Sequence, residues 1–175
     1  IKRVLEKIKK FDNINLISEL LIIDNISKDK TLEVSKNNLD IIQINSKIFQ
    51  NSKNINLGGS HKVIFDYALE SGFDYVIIIH GDDQANINDL NDIMVNLEFK
   101  KYDWLRGSRF EKHSKLHGYS KIKTFGNIFF NIIFSILTLK KISDIGSGLD
   151  IYSTKLIEKI NYYNFPNRLT FDYFM

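Results

Sequence analysis

Apolar residues fall along this chain in short unbroken blocks, separated by stretches in which they recur every three or four positions. Leu20-Leu21-Ile22-Ile23 and Tyr75-Val76-Ile77-Ile78-Ile79 are blocks of the first kind. Each is bounded by polar turn residues, and unbroken apolarity in so short a run predicts a strand covered on both faces, as in a parallel sheet. Ile41-Ile42-Gln43-Ile44 predicts a third, less apolar strand. Between these blocks Ile1 to Phe11, Lys30 to Asn37 and Ser60 to Ser71 read as helices, the last stopped by Gly72. Asp89 to Lys100 is a further candidate, with Leu90, Ile93, Met94 and Leu97 on one face. Strands alternating with helices predict an α/β layered fold with crossover connections. No internal repeat or low-complexity linker interrupts the pattern, so residues 1–175 are read as one domain.

The most apolar stretch, Phe125 to Leu139, is about 15 residues long and is interrupted by Asn127, Asn131 and Ser135. A bilayer-crossing helix needs roughly 20 apolar residues, so a buried or interfacial helix is the better fit. The chain opens on Ile1 directly in a helical pattern and is read as a fragment. Its 175 residues suffice for one domain with a core, and a hydrophobic content of 43% argues against a disordered chain. With no Cys there is no disulfide framework and no thiolate metal site. The net charge of +3, without a dense Lys/Arg stripe interleaved with aromatics, excludes nucleic acid from the expected partners.

In an open parallel sheet ligands bind beyond the carboxyl ends of the strands, so the polar turns after each strand are the first places to seek chemistry. Asp24-Asn25-Ile26-Ser27-Lys28-Asp29-Lys30-Thr31 follows the first block and His80-Gly81-Asp82-Asp83-Gln84 the later one. Carboxylates gathered at strand ends repel one another, which favours a bound cation or a ligand that donates. Asp24 and Asp29 would serve equally in an Asx turn or a helix cap. In the second turn Gly81 lets the backbone pass close to a ligand. Asp82 and Gln84 bring oxygen donors of the kind that Mg²⁺ or Mn²⁺ accepts, Mg²⁺ typically taking one or two carboxylates plus substrate phosphates. The same turn would also suit the start of the following helix. His61, His113 and His117 have no metal-ligand spacing and are read as surface or loop residues, and Trp104 is expected to pack at the base of the strand leading to Gly107.

Taken in order, these blocks resemble the family 2 glycosyltransferases of the GT-A fold, close to the dolichyl- and polyprenyl-phosphate sugar synthases. Leu21-Ile22-Ile23-Asp24-Asn25-Ile26-Ser27-Lys28-Asp29-Lys30-Thr31 is similar to the family's V-V-D-D-x-S-x-D-x-T segment, and Asn56-Leu57-Gly58-Gly59 to its N-x-G segment before a helix. Ile79-His80-Gly81-Asp82-Asp83-Gln84 stands where the family has D-x-D-x-Q. Gly107-Ser108-Arg109-Phe110 and Ser143-Asp144-Ile145-Gly146-Ser147-Gly148-Leu149 are similar to G-S-R-[FY] and D-x-x-S-G-[FL]. Two departures stand out. His80 replaces the first Asp of the metal motif, and no opening strand with a P-x-[FY]-N-E loop precedes Ile1.

The resemblance implies a GT-A, Rossmann-like three-layer sandwich over residues 1–175, a single catalytic domain lacking its first strand and its C-terminal end. It implies that Asp24, supported by Asn25, binds the nucleotide base, that Gly58 lets the backbone approach the nucleotide, and that Asp82 serves the nucleotide and a Mg²⁺ or Mn²⁺ ion shared with Gln84 and His80. A neutral imidazole is a poor Mg²⁺ ligand but an acceptable Mn²⁺ one. The implied reaction moves a sugar from a nucleotide-diphospho-sugar to a polyprenyl phosphate. Arg109 and Lys123 would hold that acceptor's phosphate, Arg109 by its planar fork, and Asp144 and Arg109 would be the catalytic pair. The alternatives are transfer to a saccharide hydroxyl in cell-surface polysaccharide or lipopolysaccharide assembly, with Asp144 as base, and a non-catalytic nucleotide-sugar-binding module. The basic stretch Lys112, His113, Lys115, His117, Lys121 and Lys123, followed by Phe125, Ile128, Phe129, Ile132, Ile133 and Ile136, suits the anionic surface of the cytoplasmic membrane face. The apolar residues would equally suit a core helix.

Overall fold

The chain lays down α1 (Lys2–Lys9), β1 (Glu19–Asp24), α2 (Thr31–Leu39), β2 (Asn45–Gln50), α3 (Asn56–Glu70) and β3 (Tyr75–Ile79) in its first half. It continues through α4 (Asn91–Val95), β4 (Trp104–Arg106), α5 (Lys121–Thr138), β5 (Leu149–Ser153), α6 (Thr154–Lys159) and α7 (Phe171–Phe174). This computed structural model describes residues 1–39, 42–111, 114 and 120–175, apart from the side chains at 121 and 123. β1 and β2 are parallel in the register Glu19↔Asn45 to Asp24↔Gln50, as the intervening α2 requires. β5 lies between β3 and β4 and is antiparallel to both.

Two apolar cores follow from the two sheets. Val4, Leu5 and Ile8 of α1 recur at helical spacing and are buried with Ile22, Ile42, Ile87, Leu90, Met94 and Ile151. On the other side Phe65 and Ala68 of α3 close over Val76, Ile78, Tyr152, Ile157 and Phe171. Phe65 and Tyr152 meet edge to face, with ring centroids 5.3 Å apart.

The structure departs from the expected elements in four places. The third strand is Asn45–Gln50 rather than Ile41 to Ile44. Its residues alternate between half-buried Ser46 and Ile48 and exposed Lys47 and Phe49, a half-covered strand that a search for unbroken apolarity passes over. Ile42 is a core residue just ahead of it, and Ile41 lies outside the described residues. The helix expected over Asp89 to Lys100 is broken into a 3₁₀ turn at Ile87–Leu90, α4, and a second 3₁₀ turn at Glu98–Lys101. Leu97 in the left-handed region, with φ of 53°, is what stops the continuous helix. α3 begins at Asn56, one turn before Ser60, and ends as expected at Gly72, whose φ is +71°.

The fourth departure concerns the sheet. Among the described residues β1 pairs with β2 and β3 with β5, so β1 and β3 do not share one ladder. They instead line opposite sides of a cavity of about 1020 Å³, with Leu21, Ile23, Ile77 and Ile79 in its wall. Both acidic turns therefore still reach one space, across a gap rather than across paired strands.

Gly58 and Gly59 lie inside the first turn of α3 and are buried. A Cβ at Gly58 would stand 2.5 Å from the Pro166 carbonyl oxygen and 2.7 Å from Phe171 Cβ. The bareness of this position lets the C-terminal segment and α7 dock on α3. Gly58→Ala is expected to cost about 1–3 kcal/mol by overpacking, seen as a thermal midpoint several degrees lower. An unchanged midpoint would mean that α7 does not pack there.

Candidate functional site

Asp24 ends β1 with its side chain buried. One carboxylate oxygen accepts the Ser27 backbone N–H at 3.2 Å and the other accepts Gln50 Nε2 at 2.8 Å. Burial alone would raise its pKa, but these donors prevail and hold the carboxyl below its ordinary range, so Asp24 is anionic. Asn25 Oδ1 accepts Asn51 Nδ2 at 3.0 Å and the Ile55 N–H at 2.9 Å, while its Nδ2 donates to Asn54 Oδ1 at 3.0 Å. The pair ties the tip of β1 to the tip of β2 and to the segment entering α3. Asp29 takes the cap role, accepting the Thr31 N–H at 3.0 Å.

Across the cavity the chain leaves β3 through His80, whose N–H donates to the Gly148 carbonyl at 2.9 Å. Gly148 has φ of +71°, and a Cβ there would lie 2.8 Å from His80 Nδ1. The imidazole occupies the place of that missing side chain. Burial pushes the His80 pKa down against the pull of Asp82 and Asp150, leaving the ring neutral near pH 7. Asp82 is exposed and accepts only the Gln84 N–H, at 3.1 Å, among the described hydrogen bonds. Asp83, in the left-handed region with φ of 65°, turns away to Lys7 at 2.6 Å and Arg3 at 3.9 Å. Asp24, Asn25, Gly81, His80 and Asp82 all line the one cavity, whereas Gly58 is spent on packing under Phe171.

Asp144 and Arg109 come together and close on each other. The Asp144 carboxylate is buried and accepts four N–H groups: Arg109 Nε at 2.7 Å, Arg109 Nη2 at 2.8 Å, and the backbone N–H of Arg109 and of Gly146 at 3.0 and 3.1 Å. In this arrangement the Asp144 oxygens are occupied by the chain's own donors. The same fork is the one Arg109 would have offered to an acceptor phosphate. Lys123 cannot be placed beside them, since its side chain lies outside the described residues, as do Lys112, His113, Lys115 and His117.

A second buried group was not foreseen from sequence. Arg106 Nε donates to Asp150 Oδ1 at 2.7 Å across the β4–β5 ladder, Trp104 Nε1 donates to the same oxygen at 2.9 Å, and Arg106 also donates to the Ile145 carbonyl. Its guanidinium stacks 4.5 Å from the Trp104 ring. Asp172 of α7 approaches Arg106 Nη2 at 3.6 Å and His61 Nδ1 at 3.9 Å. His61 is thus an interior residue of α3, wedged between Phe65 and Phe171, rather than a surface one. The signal available in the sequence was a charge inside each apolar run: Arg106 after Trp104-Leu105, Asp150 within Leu149-Asp150-Ile151-Tyr152, and Asp172 between Phe171 and Tyr173. Such charges occur buried only when paired.

The profile described as Glycosyl transferase family 2 matches residues 1–160. The chain belongs to that family. The crystal structure of S. aureus TarS 1-349 in complex with UDP superposes with a TM-score of 0.58 at 20% sequence identity, covering 95% of this chain and 46% of that one. The likeness shows the fold, which is GT-A, and this chain spans just under half the length of that structure.

Family 2 chains commonly take a divalent cation, so the donors here can be tested against one. Among the described residues no three His, Cys, Asp or Glu side chains gather to hold a metal. Asp83 is neutralised by Lys7, which leaves the exposed Asp82 carboxylate, with Gln84 and the neutral His80 as further donors. That set does not make a closed cage. It fits an ion held by one carboxylate and completed by phosphate oxygens.

Two buried groups give the fold opposed pH dependences. Burial, then the charges of His80 and Arg106, push His61 down to about 3 from 6.5, so its contribution is whole above pH 6.5 and is lost as pH falls toward 3. Burial pushes Asp172 up to about 6 from 3.8, so its contribution is whole below 3.8 and is lost as pH rises through 6. Asp172→Asn is therefore expected to stabilise the protein at pH 7.5, by about 1–3 kcal/mol, and to change little below pH 4. Denaturant titrations at the two pH values measure this; equal shifts at both would show that Asp172 does not ionise with difficulty in the fold.

Proposed function

We propose that this chain is the nucleotide-binding body of a glycosyltransferase that takes a nucleotide-diphospho-sugar as donor. The observation carrying this reading is that an anionic, hydrogen-bonded Asp24–Asn25 tip and an exposed Asp82 tip line one cavity at the carboxyl ends of β1 and β3. Asp24 keeps lone pairs free to accept an N–H of a base. Asp82, with Gln84 and His80, would hold Mg²⁺ or Mn²⁺, whose contribution is Lewis-acid stabilisation of charge on the departing nucleoside diphosphate. The protein's own part is positional: Gly148 seats His80, and Lys7 draws Asp83 aside so that one carboxylate faces the cavity.

For the acceptor we favour a polyprenyl phosphate. A phosphate is already ionised and needs no base, and Asp144 has its oxygens filled by Arg109 and Gly146. In this reading the Asp144–Arg109 clamp shapes the acceptor side, and a cation such as Lys123 supplies charge. A saccharide hydroxyl is the second reading, and it would need a carboxylate free to take the hydroxyl's proton.

The cavity also bears on the extent of the domain. β1 and β3 both present an unpaired edge to it among the described residues, which supports one further parallel strand between them in the catalytic domain. The opening strand of the family is the natural occupant, and it would fill the apolar body of the cavity while leaving the Asp24 and Asp82 tips at its rim.

Calorimetry with a panel of nucleoside diphosphates, with and without Mn²⁺, tests the donor site. Asp82→Ala is expected to abolish the metal-dependent gain in affinity, and Asp24→Asn to weaken binding about tenfold, the loss of one charged hydrogen bond. Absence of binding by the parent, or no effect of Asp82→Ala, would reject the donor site. Transfer assays of the parent with a polyprenyl phosphate and with a saccharide acceptor separate the two readings.

A further inference from the structure

α5 is built inside out. Its polar residues Asn127, Asn131 and Ser135 recur every fourth position and so form one stripe. Asn131 and Ser135 turn that stripe inward. Asn131 is 6% exposed; its Nδ2 donates to the Ser143 carbonyl at 2.7 Å and its Oδ1 accepts the Ile145 N–H at 3.3 Å. Ser135 Oγ accepts the Ile142 N–H at 2.9 Å. The large apolar side chains face outward: Ile122, Phe125, Ile136 and Leu139 are 85, 74, 68 and 92% exposed, and Phe129 and Ile132 are more than half exposed. A surface helix in water shows the reverse arrangement.

The charge around this face is one-sided. Between Glu111 and Asp144 there is no acidic residue, and there are six lysines, at 112, 115, 121, 123, 140 and 141. Lys140 and Lys141 stand exposed just past the C-terminal end of α5, Lys141 pairing with Glu111 at 3.0 Å, and the other four enter only as sequence. No helix among the described residues is long and apolar enough to cross a membrane. A helix that is apolar outward, flanked by lysines and too short to span has the character of one lying in a lipid interface, its rings among the acyl chains and its ammonium groups at the headgroups.

We infer that α5 docks on an anionic lipid bilayer, lying in the plane of the surface. A second copy of the chain fits worse, since a symmetric pairing would bring the same lysine-flanked segment against itself. The inference goes beyond the donor-site reading, because docking needs no nucleotide. Its consequence for the site is mechanical: Asn131 grips the backbone on both sides of Asp144, so the lipid-bound helix holds the Asp144–Arg109 clamp at the membrane surface.

Flotation of the whole chain with vesicles tests this. The chain is expected to float at least tenfold more with phosphatidylcholine–phosphatidylglycerol vesicles than with phosphatidylcholine alone, and to be released by salt. Phe125→Ser with Ile136→Ser changes two exposed side chains, so its circular dichroism and thermal midpoint should match the parent while flotation falls tenfold or more. Lys140→Glu should weaken anionic binding alone. No flotation with either vesicle, or undiminished flotation of the serine variant, would overturn the inference. So would a lipid-free dimer, seen by sedimentation, that the serine variant disperses. Nucleoside diphosphate affinity of the same samples is read separately, so failure of the donor site and failure of the lipid surface are told apart.

Discussion

One guanidinium, that of Arg106, lies inside the second core, and a buried cation is tolerable only where acceptors surround it. Its partners come from four parts of the chain: Asp150 of β5, the Ile145 carbonyl, the Trp104 ring of its own strand, and Asp172 of α7. Satisfying that one charge fixes β4 against β5, while α7 packs on α3 where bare Gly58 leaves room for it. Because β5 also pairs with β3, the same charge fixes how Gly148 meets His80 at the rim of the cavity. The candidate donor site is thus held from behind by an ion pair that touches neither cavity aspartate.

The rim itself is organised by which charges are already spoken for. Asp29 is absorbed by the start of α2, Asp83 by Lys7, and Asp144 by Arg109. Asp24 is bonded yet still anionic, and Asp82 stands exposed. The difference is geometric. Asp83 sits in the left-handed region and points at α1, while its neighbour one position earlier points outward. Two adjacent carboxylates therefore part, one neutralising a lysine of the scaffold and one left for a ligand, which lowers the repulsion that a doubled acidic turn would otherwise carry.

α5 reverses the usual division between inside and outside. Its buried side is the polar one because the backbone around Asp144 offers a carbonyl and an N–H that need partners, and Asn131 supplies both. The aromatic and aliphatic side chains are left on the other face. The solvent preferred by that face is not water, and the helix joins it mechanically to the clamp on the acceptor side.

Much of this was legible in the residues alone. Unbroken apolar blocks located β1 and β3, helical spacing located α1 and α3, and Gly72 marked where α3 ends, because these signals are local and periodic. The motif order led to the GT-A fold and to the residues that line the cavity. The sequence could not say that Asp144 and Arg109, 35 positions apart, satisfy each other, that His61 is interior, or that Gly58 receives α7 rather than a ligand. Nor could it say which face of α5 turns inward. Those outcomes depend on which partner each charge or bare backbone meets through space. Local pattern sets where a strand ends and what chemistry it carries; long-range pairing decides which of those groups remain free.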